Sequence, residues 1–188
     1  KGMKNIISKI ALLASMVVGG VAPVKAMDVK GQPIAVLELF TSQGCSSCPP
    51  ADEILAELAK DKNLITLAYH VDYWNYIGWE DTFSQKEHSE LQRRYARQRN
   101  EKQVYTPQLL INGTVDVVGS HLDEIKEATA NAKLDVIVNL HAEGDMLSIN
   151  IPSAEIAVKD ATIWLVPFVS KAQVKIERGE NRGQLITY

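Results

Sequence analysis

Leu37-Glu-Leu-Phe-Thr-Ser-Gln-Gly-Cys45-Ser-Ser-Cys48-Pro-Pro50 is the stretch that decides the fold. An apolar strand runs into a Gly turn, and two cysteines three apart open a helix. They are the only cysteines in the 188 residues. Upstream, Ile34 to Phe40 is almost unbroken apolar sequence with Glu38 as its one charge. Such a run fits a strand buried on both faces of a parallel sheet. Downstream, Cys45 to Lys60 is a helix candidate, with Ile54, Leu55, Leu58 and Ala59 on one face. Pro49 and Pro50 are tolerated only near a helix start, where backbone N–H groups have few partners. The cysteines therefore belong to the first turn or just before it.

The rest of the chain alternates element types. Leu64 to Val71 is a second strand. Asp72 to Asp81 is a loop carrying Tyr73, Trp74, Tyr76 and Trp79. Ser84 and Glu87 form a capping box for a polar helix to about Asn100. Its apolar contacts are Phe83, Leu91 and Tyr95, and Arg93, Arg94, Arg97 and Arg99 give it a solvated basic face paired with Glu87 and Glu90. Thr106 to Val118 is a hairpin, because Asn112-Gly113 between apolar runs suits a type I′ turn. Asn112-Gly-Thr114 also matches a glycosylation sequon, but the turn already accounts for Asn112. A third helix follows, with Leu122, Ile125, Ala128 and Ala132 on one face.

From Leu134 the pattern becomes two-residue alternation. Val136, Val138 and Leu140, then Leu147, Ile149 and Ile151, flank a turn at Glu143-Gly-Asp145. Ala161 to Val169 and Val174 to Glu177 are further strand candidates, with a polar turn at Gly179 to Gly183. The expected domains are a leader over 1–26, an α/β domain over 27–133 and a β-rich extension over 134–188, its natural C-terminus missing.

The leader rests on a basic start at Lys4 and Lys9, an apolar run from Ile10 to Ala22 and small residues at Val24-Lys25-Ala26. That is the pattern of a secretory signal peptide, and the run is short for a membrane span. The mature chain is expected to be periplasmic or secreted, without a stable membrane anchor. Removing 1–26 leaves sixteen basic and twenty-three acidic residues, a net charge of -7. That charge argues against nucleic acid as a partner. At 46% hydrophobic and 23% charged, the composition is that of a globular protein.

In an oxidising compartment two cysteines usually pair. A bond across Cys45-Ser-Ser-Cys48 closes a loop too short to restrict the unfolded chain much, so the pair points to chemistry rather than to a staple. Cys45 at a helix N-terminus is expected to have a lowered pKa, since unpaired N–H groups and the helix dipole favour a thiolate. Cys48, deeper in the helix, is the resolving thiol.

The order strand, Cys-x-x-Cys helix, strand, helix, Pro-led hairpin, helix, with Thr106-Pro107 heading the hairpin, resembles the thioredoxin-like superfamily over about residues 34–133. The resemblance implies a mixed sheet flanked by helices and a cis-proline facing the cysteines. Val36 to Phe40 also resembles the strand before the cysteines in DsbA-type oxidases, which carry a buried acid there. Glu38 matches it, with one extra residue before the first cysteine, as a proton relay to Cys48. Phe40 to Asp52, His70-Val-Asp-Tyr-Trp74 and Tyr105-Thr-Pro-Gln108 are closer to a family of exported bacterial proteins of unknown function with a thioredoxin-like domain and a β-rich C-terminal part.

The expected function is thiol–disulfide exchange on protein or small-molecule thiols, with no cofactor beyond the Cys45–Cys48 couple. Thr106 would hold an extended substrate segment by strand-like hydrogen bonds, beside Trp74. Two alternatives stay open. Cys45 and Cys48 with His70, His88 or His121 would make a copper or zinc site, against which His70 is a strand-end histidine bonded to a group such as Asp72. Tyr73, Trp74, Tyr76 and Trp79 would form a recognition wall in a non-catalytic binding module, or else anchor the loop.

Overall fold

In the computed structural model the described residues are 33–134, 136–143, 146–152 and 162–188. The expected leader lies outside them. A four-stranded mixed sheet forms the centre, built from β1 (Ala35–Thr41), β2 (Leu64–His70), β3 (Gln108–Ile111) and β4 (Val115–Val118) in the order β2-β1-β3-β4. β1 pairs parallel with β2 and antiparallel with β3, and β3 pairs antiparallel with β4. Three helices flank it: α1 (Pro49–Leu58), α2 (Lys86–Gln98) and α3 (Leu122–Ala130).

Strand alternation sorts the core into two faces. Leu37, Leu39, Leu109 and Ile111 pack with Ala51 and Leu55 of α1 and Ile125 of α3. Phe40 and Leu110 pack on the other face with Leu91 and Tyr95 of α2. The apolar run of β1 is thus explained by burial on both sides. Each such leucine contributes ~1.5–3 kcal/mol when taken out of water.

α1 begins at Pro49, not at Cys45. Cys48 is its N-cap residue and its N–H bonds the Cys45 carbonyl at 3.2 Å in a tight turn. Both cysteines therefore precede the helix, and Cys48 is not deeper in it. The two prolines occupy positions that need no N–H donor. The Ser84–Glu87 capping box is also absent. Gln85 is the N-cap, and the Ser84 hydroxyl is engaged with the Asp81 carbonyl and the Asn75 amide instead. Asn112 and Gly113 take φ of 51° and 68°, as a type I′ turn centre requires. Asn112 also accepts the Val36 N–H at 2.8 Å, which ties the turn to β1.

The extension holds two small antiparallel sheets, β5 (Asn139–Glu143) with β6 (Met146–Asn150), and β7 (Gln173–Lys175) with β8 (Leu185–Thr187). The strand expected over Ala161 to Val169 is not one: residues 162–169 have no regular structure, and Trp164 and Leu165 are exposed. The alternation around β5 and β6 buries neither face, since Leu140, Leu147 and Ile149 are all exposed. Among the described residues no helix is long and apolar enough to cross a membrane.

Candidate functional site around Cys45 and Cys48

β1 delivers the chain to the end of the sheet at Thr41. Residues 42–48 then turn back into α1. Cys45 and Cys48 form a disulfide in this turn, with both residues buried and Ser46 and Ser47 exposed between them. Gly44 lets the turn lie close to the aromatic loop, because a Cβ there would meet the Trp74 carbonyl at 3.2 Å and the Trp74 Cβ at 3.3 Å. Trp74 in turn donates its indole N–H to Thr106 Oγ1 at 2.8 Å. The bond between Thr106 and Pro107 is cis, the form the resemblance implies. Pro107 is buried and lies against the α1 side of the sheet. A Cβ on Gly119 would meet Pro107, Ala51 and Leu39 together, at 3.3, 3.1 and 2.7 Å. Trp74 thus meets the cysteine turn at Gly44, and Thr106, with Pro107 after it, is linked to the turn through Trp74.

Glu38 is elsewhere. It points to the α2 face, where the Tyr95 hydroxyl donates to its carboxyl at 2.7 Å. Burial raises its pKa, and its bonds with Tyr95 and Tyr69 partly offset the rise. The hydrogen bond of Glu38 is thus to Tyr95, and the period of two along β1 puts it on the face opposite Leu37 and Leu39, which pack with α1, rather than on the side of α1 that Cys48 caps.

Asp52 is a buried carboxyl one helical turn along α1 from Cys48. Its backbone N–H bonds the Cys48 carbonyl at 3.1 Å. The Thr41 hydroxyl donates to Oδ1 at 2.7 Å, while Oδ2 is buried with no partner among the described residues. Desolvation pushes the Asp52 pKa well above the usual carboxylate range. The Thr41 bond opposes this, and the charges of Asp81 and Glu53 add to it. The neutral acid is therefore favoured there.

His70, at the end of β2, donates Nδ1–H to Asp81 Oδ2 at 2.7 Å, not to Asp72. Asp72 bonds Ser89 of α2 instead. Asp81 Oδ2 also accepts the Gln43 N–H at 2.8 Å, so the His70–Asp81 pair braces the turn just before Gly44. Gln43 binds the loop a second time, accepting the Trp79 indole N–H at 2.8 Å. Tyr73 donates to Gln92. Three of the four loop aromatics are thus anchored, and Tyr76, stacked on Trp74, is the exposed one.

The C-terminal segment supplies the last wall. Ile176 and Ile186 are buried. Asn181, 2% exposed, donates Nδ2 hydrogen bonds to the carbonyls of Gln43 and Cys45, each at 2.9 Å. The Tyr188 ring meets the His70 ring edge-on at 4.4 Å, and its hydroxyl is buried without a partner among the described residues. Burial, then the charges of Asp52 and Asp81, raise the Tyr188 pKa.

The metal alternative is not assembled. Both sulfurs are in the disulfide, His70 Nδ1 is on Asp81, His88 donates to the His70 carbonyl and His121 pairs with Glu124. Among the described residues no group of three or more His, Cys, Asp or Glu could hold a metal ion. The basic run of α2 is resolved differently from its expected pairing. Arg99 bonds Asp116 of β4 at 2.7 Å, and Arg94 lies over the Trp164 ring.

The model of one family, described as protein of unknown function (DUF1223), matches residues 36–188. The chain belongs to this family. The match runs through both the cysteine turn and the segment that covers it, so the DUF1223 unit includes the extension. A crystal structure of a protein from Agrobacterium tumefaciens is similar, with 41% identity and a TM-score of 0.61 over 65% of this chain. The chain spans 57% of that protein's length. No curated protein matches it.

Sequence reasoning missed Asp52 as a buried acid, and Gln43, Asp81 and Asn181 as braces of the turn. Only Asp52 carried a local signal, standing four residues after Cys48 and so one turn along the same helix.

Proposed function

We propose that this DUF1223 protein has a thioredoxin-like domain and acts as an exported thiol–disulfide oxidoreductase on protein or small-molecule thiols, with Cys45–Cys48 as its redox couple. The observation that carries this is the disulfide itself. It closes a two-residue turn at the mouth of α1, with a buried, partly unsatisfied carboxyl one turn away. Support for the fold comes from the strand order β2-β1-β3-β4, with cysteines between β1 and α1 and Pro107 heading β3.

In the oxidising direction a substrate thiolate attacks Cys45 Sγ. The Cys45–Cys48 bond breaks, a mixed disulfide forms and Cys48 leaves as a thiolate. Asp52 yields its proton to Cys48. The second substrate thiolate then attacks the substrate sulfur of the mixed disulfide and releases Cys45 as a thiolate, so two electrons pass from substrate to protein. Reduction is the reverse, with Cys48 as resolving thiol and Asp52 taking the proton back. On this reading a substrate would approach over the exposed Ser46-Ser47 pair, with Trp74 beside Gly44 and Thr106 bonded to Trp74.

Exchange with a model dithiol tests the reading. Cys45→Ser is expected to abolish it, and Cys48→Ser to accumulate mixed disulfides through Cys45. Unchanged exchange in Cys45→Ser contradicts the proposal.

A further inference from the structure

The Cys45 carbonyl is a shared acceptor. It takes the Cys48 N–H at 3.2 Å within the disulfide turn and the Asn181 amide at 2.9 Å from 136 residues away. The same amide group also holds the Gln43 carbonyl. Asn181 is itself fixed by the turn between β7 and β8: its carbonyl accepts the Gln184 N–H, and the Gly183 N–H bonds Ile176 at 2.7 Å. The segment is seated further by Gly179, whose Cβ position would lie 3.1 Å from Trp79, and by Tyr188 against His70 and Phe83. A buried amide with both protons committed to two carbonyls of one turn recognises that turn's shape.

We propose that the segment from Ile176 to Tyr188 is a redox-linked clasp, in which Asn181 is a positioning residue that stabilises the disulfide form of Cys45–Cys48 over the dithiol form. This rests on the reading of the pair as a redox couple. The disulfide ties the Cys45 and Cys48 side chains together across the turn and so fixes the carbonyl that Asn181 holds. Opening it frees the turn to relax, at the expense of the two amide bonds. Linkage makes the effect reciprocal: a clasp that binds the oxidised turn better makes that turn harder to reduce by the same factor, and reduction loosens the clasp.

Equilibration with glutathione measures this. Two glutathione thiols give up two electrons and become glutathione disulfide, the Cys45–Cys48 bond breaks, and the two protons go to Cys45 and Cys48. Asn181→Ala and Asn181→Asp, the latter of similar shape but without an N–H donor, are expected to shift the equilibrium toward the dithiol by roughly tenfold, within the usual range of coupling between sites. An unshifted equilibrium in folded variants overturns the clasp. The wild-type chain gives a second result that needs no variant. Trypsin is expected to cut after the exposed Arg178 and Arg182 faster in the reduced protein than in the oxidised one, and equal rates overturn the clasp. If exchange activity is present and the equilibrium does not move, the clasp alone falls. A pair that glutathione cannot reduce in the folded protein removes both the clasp and the redox reading.

Discussion

Glu38 is buried on the α2 side of the central sheet and Asp52 on the α1 side, and the two are treated differently. On the α2 face Glu38 is satisfied by a tyrosine hydroxyl, and a separate bonded network runs from Gln92 through Gln108 and Asp116 to Arg99. On the α1 face Asp52 has one oxygen on Thr41 and the other without a partner among the described residues, one helical turn from Cys48. A buried polar atom left unpaired costs about 1–3 kcal/mol, so a fold keeps few of them. The difference teaches that burial alone does not mark a working acid. The satisfied carboxyl ties β1 to α2, and the proposed function gives the other the proton transfer.

Three substitutions probe the two faces. The largest effect is expected at Gly119, where Leu39, Ala51 and Pro107 converge on the α1 face. Gly119→Val forces side-chain carbons into that space and is expected to cost about 1–3 kcal/mol of unfolding free energy, together with a clear loss of exchange rate. Denaturant unfolding and the dithiol assay read the two effects. An unchanged exchange rate would separate Pro107 from the chemistry.

Asp52→Asn comes next, and its sign follows from the raised pKa. The native state keeps a proton on Asp52 that the unfolded chain loses above the ordinary value of 3.8. Wild-type stability therefore falls as pH rises from there through the folded-state pKa. The Asn variant removes this slope and is expected to be more stable than wild type at pH 8, by about 1–3 kcal/mol, while the pH profile of exchange flattens. Unfolding curves at pH 4 and pH 8 provide the check. A variant that is less stable at both would contradict the picture of an uncompensated acid.

The smallest effect is expected from Glu38→Gln. The amide oxygen can still accept from Tyr95, so stability at pH 7 should change by about 0.5–1 kcal/mol at most, and the exchange rate should stay within roughly twofold of wild type. A flattened pH profile of exchange like that expected of Asp52→Asn would restore Glu38 to the site.

Much of this was legible in the residues, and what was not has a physical reason. The central strand, the α1 apolar face, the Asn112-Gly113 turn and the cysteine turn all follow from local patterns that one sheet and its helices enforce. At Glu38 a carboxyl in an apolar strand signals burial but not which face receives it. Counting by twos from Leu37 and Leu39, which face α1, puts Glu38 on the other side, so the information was present but needed the helix's side fixed first. Asn181 had no local signal, since its bonds reach back more than a hundred residues into a turn. The alternating strands of the extension showed two apolar patterns of the same kind. Only β7 and β8, joined by the turn that carries Asn181, are seated on the site, while the β5–β6 pair leaves its apolar side chains exposed.

The central claim is that Cys45–Cys48 is a couple that opens and closes within the folded protein. The direct measurement is to reduce the chain in a glutathione buffer, follow the thiols by alkylation and the fold by circular dichroism, and then reoxidise it. Two thiols should appear and disappear reversibly while the fold persists. Thiols that appear only as the protein unfolds would contradict the claim and return the disulfide to the role of a staple.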